Sequence, residues 1–226
     1  MQIKENTLEQ AIIVDLEGKG YEYLYGPDIE RDYHDVILKT YYEMAIAKIN
    51  KGITASIIEE SYKTIMNLGL LKLEELNASF HKYLIEGIPV PYRDNSENKT
   101  YTVKLVDFDN PEENDFKVVN QYTIIDYKQK RPDILVFING IPMILFELKN
   151  AANEDTTITN AYNQIQNYML DIPKLFWYNA FNVISDGLST KVGTITSDFT
   201  RYMAWKSENG ERPDEEIGRA SCRERV

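Results

Sequence analysis

The side chains that most often build covalent or metal chemistry are scarce in this chain. Among 226 residues there is one cysteine, Cys222, and there are two histidines, His34 and His81. Cys222 lies in the terminal stretch GRASCRERV, which is basic, has no hydrophobic periodicity and reads as a cloning or assembly tail (218–226). The remainder is then free of cysteine, which excludes disulfides, thiolate nucleophiles and cysteine-based zinc sites. The spacing of the two histidines does not pair them as ligands. No run approaches the roughly 18 consecutive apolar residues of a membrane span, and MQIKENTLEQ lacks the basic-then-apolar order of a signal peptide. A cytoplasmic protein with no membrane partner is expected. There is no G-x-x-x-x-G-K-[ST] match, hence no P-loop and no ATP site in the chain.

Positive charge is also short. Lys and Arg total 25 against 36 Asp and Glu, a formal net charge of −11, and the arginines of the tail hide part of the deficit. Domains that bind nucleic acid draw much of their affinity from basic patches that release counterions. An acidic chain can still cut DNA if metal ions neutralise the site and a partner holds the duplex.

What is present is a segmented pattern. Thr7-Leu8-Glu9-Gln10 has capping-box spacing and Leu8, Ile12 and Leu16 follow at helical intervals, so a first helix is expected up to Gly18. A short strand around 21–25 precedes three helical segments near 36–49, 54–67 and 72–86, separated by Gly52 and Gly69 and closed by Gly87. These form an inserted helical layer. Residues 101–108 and 116–127, rich in Val, Thr, Tyr and Ile, read as strands on one face of a sheet. The runs 133–138 and 141–149 flank Asn139-Gly140 and are almost wholly apolar, as strands buried on both faces are. Ile158, Tyr162, Ile165 and Met169 then share a helical face up to Asp171-Ile172-Pro173, and strands near 180–185, 191–196 and 200–205 complete the domain. SENGERPDEE and its surroundings (207–217) have the character of an acidic linker.

Chemistry concentrates in Arg131-Pro132-Asp133, thirteen residues, and Glu147-Leu148-Lys149. Residues two apart in a strand share a face, so Glu147 and Lys149 point one way and Leu148 the other. Charges at the end of so apolar a strand need partners, because a buried unpaired ion is costly. Whether Asp133 joins them depends on the parity of the hairpin. A strict two-residue Asn139-Gly140 loop pairs Ile138 with Ile141 and turns Asp133 away from Glu147. A three-residue loop, Ile138-Asn139-Gly140, pairs Phe137 with Ile141 and places Asp133, Leu145 and Glu147 on one face. That loop, or another bulge restoring the parity, is expected. Two carboxylates so placed suit one or two Mg²⁺ (or Mn²⁺) ions, the Leu148 carbonyl offers a further hard oxygen, and Lys149 suits the attacking water and the charge developing on a phosphate. The plainer reading of the same residues is a structural Glu147–Lys149 pair at a sheet end. The neighbouring Lys128, Lys130 and Arg131 suit phosphate contact or a solvated loop alike.

Four stretches resemble the N-terminal nuclease region of the R (motor and endonuclease) subunit of Type I restriction enzymes: LEQAIIVDLEGKGYEYLYG, NASFHKYLIEGIPVPY, VVNQYTIIDYKQKRPDILVFINGIPMILFELKNA, and ITNAYNQIQNYMLDIPKLFWYNAFNVISDGLSTKVGTITSDFTRYMAWK. The resemblance covers most of residues 7–206. It implies an α/β fold with a restriction-endonuclease-like αβββαβ core, a mixed central sheet flanked by helices, and Asp133, Glu147 and Lys149 as a PD-(D/E)XK catalytic triad. It further implies a helix acid near the metal at Glu9, and a Gln-x-x-x-Tyr pair at Gln164 and Tyr168. Without the resemblance, Glu9 reads as an exposed structural acid, Tyr168 as core and Gln164 as solvated.

The implied activity is Mg-dependent hydrolysis of unmodified double-stranded DNA by residues 1–206, within a complex with methylation and specificity subunits. ATP would be used by a motor C-terminal to this chain. A free-standing repair or junction-resolving nuclease of the same superfamily, and an inactive module that docks partner subunits, are the competing readings.

Overall fold

The computed structural model describes residues 5–94, 97–149 and 158–205, so the linker and tail of the sequence reading lie outside the described residues. Helix α1 (Glu5–Gly18) leads into strand β1 (Glu22–Tyr25). Helices α2 (Lys39–Ile49), α3 (Ala55–Met66) and α4 (Leu73–Glu86) follow, then strands β2 (Ile88–Asp94) and β3 (Glu97–Val103). Next come β4 (Phe116–Asn120), the two-residue strands β5 (Ile124–Ile125) and β6 (Gln129–Lys130), and the hairpin β7 (Ile134–Ile138) and β8 (Ile141–Leu148). Helices α5 (Ile158–Asp171) and α6 (Pro173–Phe176) precede β9 (Phe181–Ser185), β10 (Thr190–Gly193) and β11 (Met203–Ala204). Among the described residues no helix is long and apolar enough to cross a membrane.

Seven strands form one mixed sheet in the order β1-β4-β7-β8-β9-β10-β11, with β1/β4 and β8/β9 parallel and the other pairs antiparallel. Helices cover both faces. On one side α1 buries Leu8 and Ile13 against Val118, Ile134 and Leu148. On the other, α5 contributes Ala161, Ile165 and Tyr168 to a larger core with Leu135, Phe137, Ile141 and Leu145, into which Tyr42, Ile46, Tyr62 and Phe80 of α2–α4 also pack. Double coverage explains the near-continuous apolar reading of β7 and β8, each fully buried Leu or Ile contributing roughly 1.5–3 kcal/mol.

Two sequence expectations change. Strand β2 lies in Ile88–Asp94, where Pro89 and Pro91 mask the strand pattern, and it pairs only with β3 in a separate two-stranded sheet. Residues 101–108 therefore do not share a sheet face with 116–127: the strand there ends at Val103. The 116–127 run breaks after Asn120, because Gln121 takes a left-handed backbone conformation with φ 55°.

The hairpin takes the second of the two forms expected, a bulge. Asn139 (φ 52°) and Gly140 (φ 75°) are both left-handed, and Ile138 pairs with Ile141, so the loop is the two-residue kind and not the three-residue kind. Parity is restored further along: Phe137 faces Pro142 but Val136 faces Ile144, leaving Met143 as the extra residue of a β-bulge. From there Leu135 faces Leu145 and Ile134 faces Phe146, which sets Asp133 across from Glu147.

The turn itself is clamped. Asn139 is fully buried and binds the backbone of Asp115 in both directions, the Leu105 carbonyl and Asn114 Oδ1. Gly140 accepts from the Leu38 amide at the start of α2, and a Cβ on it would fall 2.5 Å from Tyr42 N and 2.6 Å from Leu38 O. Gly140→Ala is accordingly expected to lower unfolding free energy in urea titration by about 2–4 kcal/mol, combining left-handed strain with backbone overlap. A loss under about 0.5 kcal/mol would show that the α2 start yields easily.

Candidate active site

The site is assembled at the end of the sheet where β8 finishes and β7 begins. Glu147 is the penultimate residue of β8 and only 2% exposed. Asp133, one residue before β7, accepts a 2.7 Å hydrogen bond on Oδ2 from the Leu148 amide, which fixes its carboxylate beside the Glu147 strand. The Lys149 amide donates to the Ser185 carbonyl at 2.8 Å, continuing the parallel β8/β9 pairing one residue past the strand. Lys149 Nζ then turns back to donate to Glu147 Oε1 at 2.5 Å and to the Leu148 carbonyl at 2.9 Å. The Met143 bulge thus brings Asp133 beside Glu147 and Lys149, which strand spacing already places together.

Helix α5 completes the surroundings. Tyr168, buried, approaches the Glu147 carboxylate as a hydrogen-bond donor, and Gln164, one turn earlier and half-buried, reaches the Tyr168 hydroxyl. The i, i+4 spacing puts both on the face that covers the site. Tyr168 is therefore both core and site-supporting, and Gln164 is not simply solvated.

Electrostatics at Glu147 are unfavourable for its charge. Burial, and next the nearby negative charge of Asp133, push its pKa up to about 8, against the opposing effects of Lys149 and Tyr168. Its Oε2 atom is buried with no hydrogen-bond partner of normal geometry. A stabilising ion pair would do the reverse and hold the carboxylate ionised. Desolvation commonly outweighs attraction in buried pairs, so the Glu147–Lys149 contact is a poor candidate for a purely structural salt bridge.

The donor set fits a hard divalent cation. Two carboxylates and the Leu148 carbonyl are oxygen ligands, and the partnerless Glu147 oxygen is an atom such an ion would satisfy. Among the described residues no group of three or more His, Cys, Asp or Glu side chains is placed to share one metal. Mg²⁺ is commonly held through one or two carboxylates, retaining several waters.

Glu9 does not join Asp133 and Glu147 in such a group. It is 7% exposed, contrary to the plain sequence reading, and its Oε1 accepts from Asn120 Nδ2 at 2.6 Å, while Asn120 Oδ1 accepts from the Tyr23 hydroxyl at 2.9 Å. It does line, with Asp133 and Arg131, a cleft of about 560 Å³ on the α1 side of the sheet end. Of the basic cluster, Lys128 and Lys130 pair with Asp171 at 2.8 and 3.0 Å, which leaves Arg131 as its member on the cleft. Sequence reasoning overlooked Tyr23, Asn120 and Gln121. The signal was the polar Asn120-Gln121 pair interrupting an apolar run.

The Glu147 shift carries a pH dependence. Its pKa in the folded chain, about 8, lies above the ordinary 4.5, so the folded chain keeps a proton that the unfolded chain releases. Stability from burying the neutral acid is fully present below about pH 4.5 and is lost as pH rises through 8. In chelator, Glu147→Gln should therefore melt near wild type at pH 5 and above it at pH 8, by an amount worth at most a few kcal/mol. A melting difference that stays constant over this range would contradict the assignment.

Residues 2–201 match the family described as Type I restriction enzyme R protein N terminus (HSDR_N). The chain is 37% identical over 213 residues to the putative type I restriction enzyme MjaIXP endonuclease subunit of Methanocaldococcus jannaschii. It is 34% identical over 214 residues to the type I restriction enzyme HindI endonuclease subunit of Haemophilus influenzae. Each match covers 90% of this chain and 20% of the relative, so the chain spans about one fifth of the length of these proteins. The sheet-end cluster of Asp133, Glu147 and Lys149 lies within the matched segment, and the chain belongs to the family of N-terminal domains of Type I restriction enzyme R proteins.

Proposed function

We propose that this chain is the Mg²⁺-dependent (or Mn²⁺-dependent) DNA-cleaving domain of a Type I restriction endonuclease subunit, with a restriction-endonuclease-like core of the PD-(D/E)XK type. The observation that carries the reading is the buried Glu147 carboxylate. It is pushed to a pKa of about 8 beside Asp133, one of its oxygens has no hydrogen-bond partner, and Lys149 is held against it. An arrangement that costs the fold stability fits a site kept for chemistry.

Asp133, Glu147 and the Leu148 carbonyl would hold the ion. When bound, it supplies Lewis-acid stabilisation of the phosphate and eases deprotonation of the attacking water. The Leu148 amide keeps Asp133 aimed at the ion, and Tyr168, steadied by Gln164, does the same for Glu147. Lys149 donates to the attacking water and to the phosphoryl oxygens as negative charge grows on them, a role that a compact ammonium on a fixed strand end can fill. Arg131 lines the cleft beside Asp133, where its guanidinium could meet a single phosphate.

The substrate class proposed is double-stranded DNA lacking the protective modification. The acidic charge of the chain accords with methylation and specificity subunits, and a motor using ATP, holding the duplex within a cytoplasmic complex.

Lys149→Ala separates catalysis from structure. Were Lys149 only a structural partner of Glu147, its loss would change stability but leave cutting intact. The proposal expects Mn²⁺ binding by calorimetry to persist in Lys149→Ala and to vanish in Asp133→Ala. Plasmid cleavage by a complex reassembled with Lys149→Ala should fall at least about 100-fold while ATP hydrolysis continues, and Lys149→Arg should not restore it fully. Cleavage near wild type by Lys149→Ala would remove the lysine from the mechanism. Absence of Mn²⁺ binding in the wild-type chain would favour a docking module instead.

A further inference from the structure

The α1 side of the same sheet end holds a feature the mechanism does not use. Beyond Asp133 and Arg131 the cleft wall is formed by Asn6 and Gln10 of α1, Tyr25 at the end of β1, and Gln121 just after β4. These three primary amides each carry both donors and an acceptor, and a fourth, Asn120, lines the cleft while held by Glu9 and Tyr23. Tyrosine adds an apolar ring with a polar tip, and Tyr25 is 44% exposed at the end of an edge strand. A groove that tracks phosphates would be lined with lysine and arginine. This one has a single cation among its lining side chains, and amides and aromatic rings suit a sugar and a base. Its volume of about 560 Å³ lies in the roughly 300–1,000 Å³ range of small-ligand sites.

Gln121 gives the second, independent observation. Its φ of 55° is a conformation that glycine adopts freely and glutamine does not. The turn is held from behind by Gly26, where a Cβ would fall 2.6 Å from the Asn120 carbonyl oxygen and 2.8 Å from the Gln121 carbonyl carbon. From the front, the Gln121 amide donates to the Asp133 carbonyl at 3.3 Å. A glycine at 121 would relieve the backbone, yet the position carries a long amide facing the cleft. Strain of this kind concentrates at binding and catalytic sites.

We infer that the cleft seats the sugar and base of the nucleotide adjoining the scissile phosphate, with Gln10 and Gln121 hydrogen-bonding the base edge and Tyr25 offering a stacking face. The inference rests on the nuclease reading, because Asp133 is the lip shared by cleft and metal-binding pair. Since an amide meets donors and acceptors alike, the subsite accepts all four bases within a few-fold of one another.

The test uses this chain with Ca²⁺, which occupies hard oxygen sites without supporting rapid hydrolysis, and the four homodinucleotides of DNA as probes. Side-chain amide resonances of Asn6, Gln10, Asn120 and Gln121 are followed by ¹⁵N-edited NMR. Asn77, whose amide is bound to the Phe176 carbonyl away from the cleft, serves as reference. The four cleft amides should shift with a common saturation curve while Asn77 stays still. Affinity should drop about five-fold or more in both Gln121→Gly and Gln10→Ala, although Gln121→Gly should melt at or above the wild-type temperature. Should Gln121→Gly fold poorly, Gln10→Ala, on the exposed side of α1, decides alone. Unchanged affinity in the variants, or shifts confined to other amides, overturns the subsite. Mn²⁺ binding to the wild-type chain, measured in parallel, keeps the two levels apart. With metal bound and the cleft amides silent, only the subsite falls; with no metal bound, the nuclease reading falls and the subsite with it.

Discussion

An antiparallel strand that slips by one residue turns every one of its side chains to the opposite face, and the candidate site of this chain depends on one such slip. Met143 is the extra residue of the β7–β8 ladder. Without it, the tight Asn139-Gly140 loop would set Asp133 against Phe146 and leave Glu147 facing α5 without a second carboxylate. With it, the loop keeps the paired left-handed geometry that an Asn-Gly turn favours, and the sheet end still gathers Asp133, Glu147 and Lys149. The same bulge leaves Leu148 and Ile134 on the α1 side and Leu145 and Leu135 on the α5 side, so core packing and active-site parity are decided together. A wrong register would bury charges and expose core residues at once.

The two helices pressed on this sheet end have different effects. Helix α5 closes over Glu147 with Tyr168 and removes water from it, which raises its pKa and leaves the ionised carboxylate poorly solvated. Helix α1 buries Glu9 but gives it Asn120, and Asn120 in turn takes the Tyr23 hydroxyl, so that carboxylate has a hydrogen-bonded partner. Two buried acids, one under each helix, therefore differ in their hydrogen bonding. One is left short of hydrogen bonds, and the satisfied one lines the wall of a cleft.

Much of this was legible in the sequence, unevenly. Periodicity marked α1, α3, α4 and α5, and the apolar runs around Asn139-Gly140 marked the central hairpin, because those signals are local. Strand β2 was not legible because Pro89 and Pro91 suppress the strand pattern, and it survives by pairing with β3 in a small sheet of its own. The break at Gln121 had only the polar Asn120-Gln121 pair to mark it inside a run of strand formers, and the left-handed backbone of a glutamine has no local signature of its own.

By itself the sequence determined the chemistry available: two carboxylates and a lysine at strand spacing, hard oxygen donors, a single cysteine in the terminal stretch, no P-loop motif and a net negative charge. It also determined that a bulge or a longer loop was needed if Asp133 was to meet Glu147. Only the tertiary structure decided where the extra residue sits, because loop and bulge satisfy the same parity and the tight turn is held by distant partners, the Leu38 amide on the Gly140 carbonyl and Asp115, Leu105 and Asn114 on Asn139. The structure alone likewise decided that Glu147 is desolvated and Glu9 hydrogen-bonded. Burial and partner choice are set by residues such as Tyr168 and Asn120, 21 and 111 positions away along the chain, and no local pattern encodes contacts at that separation.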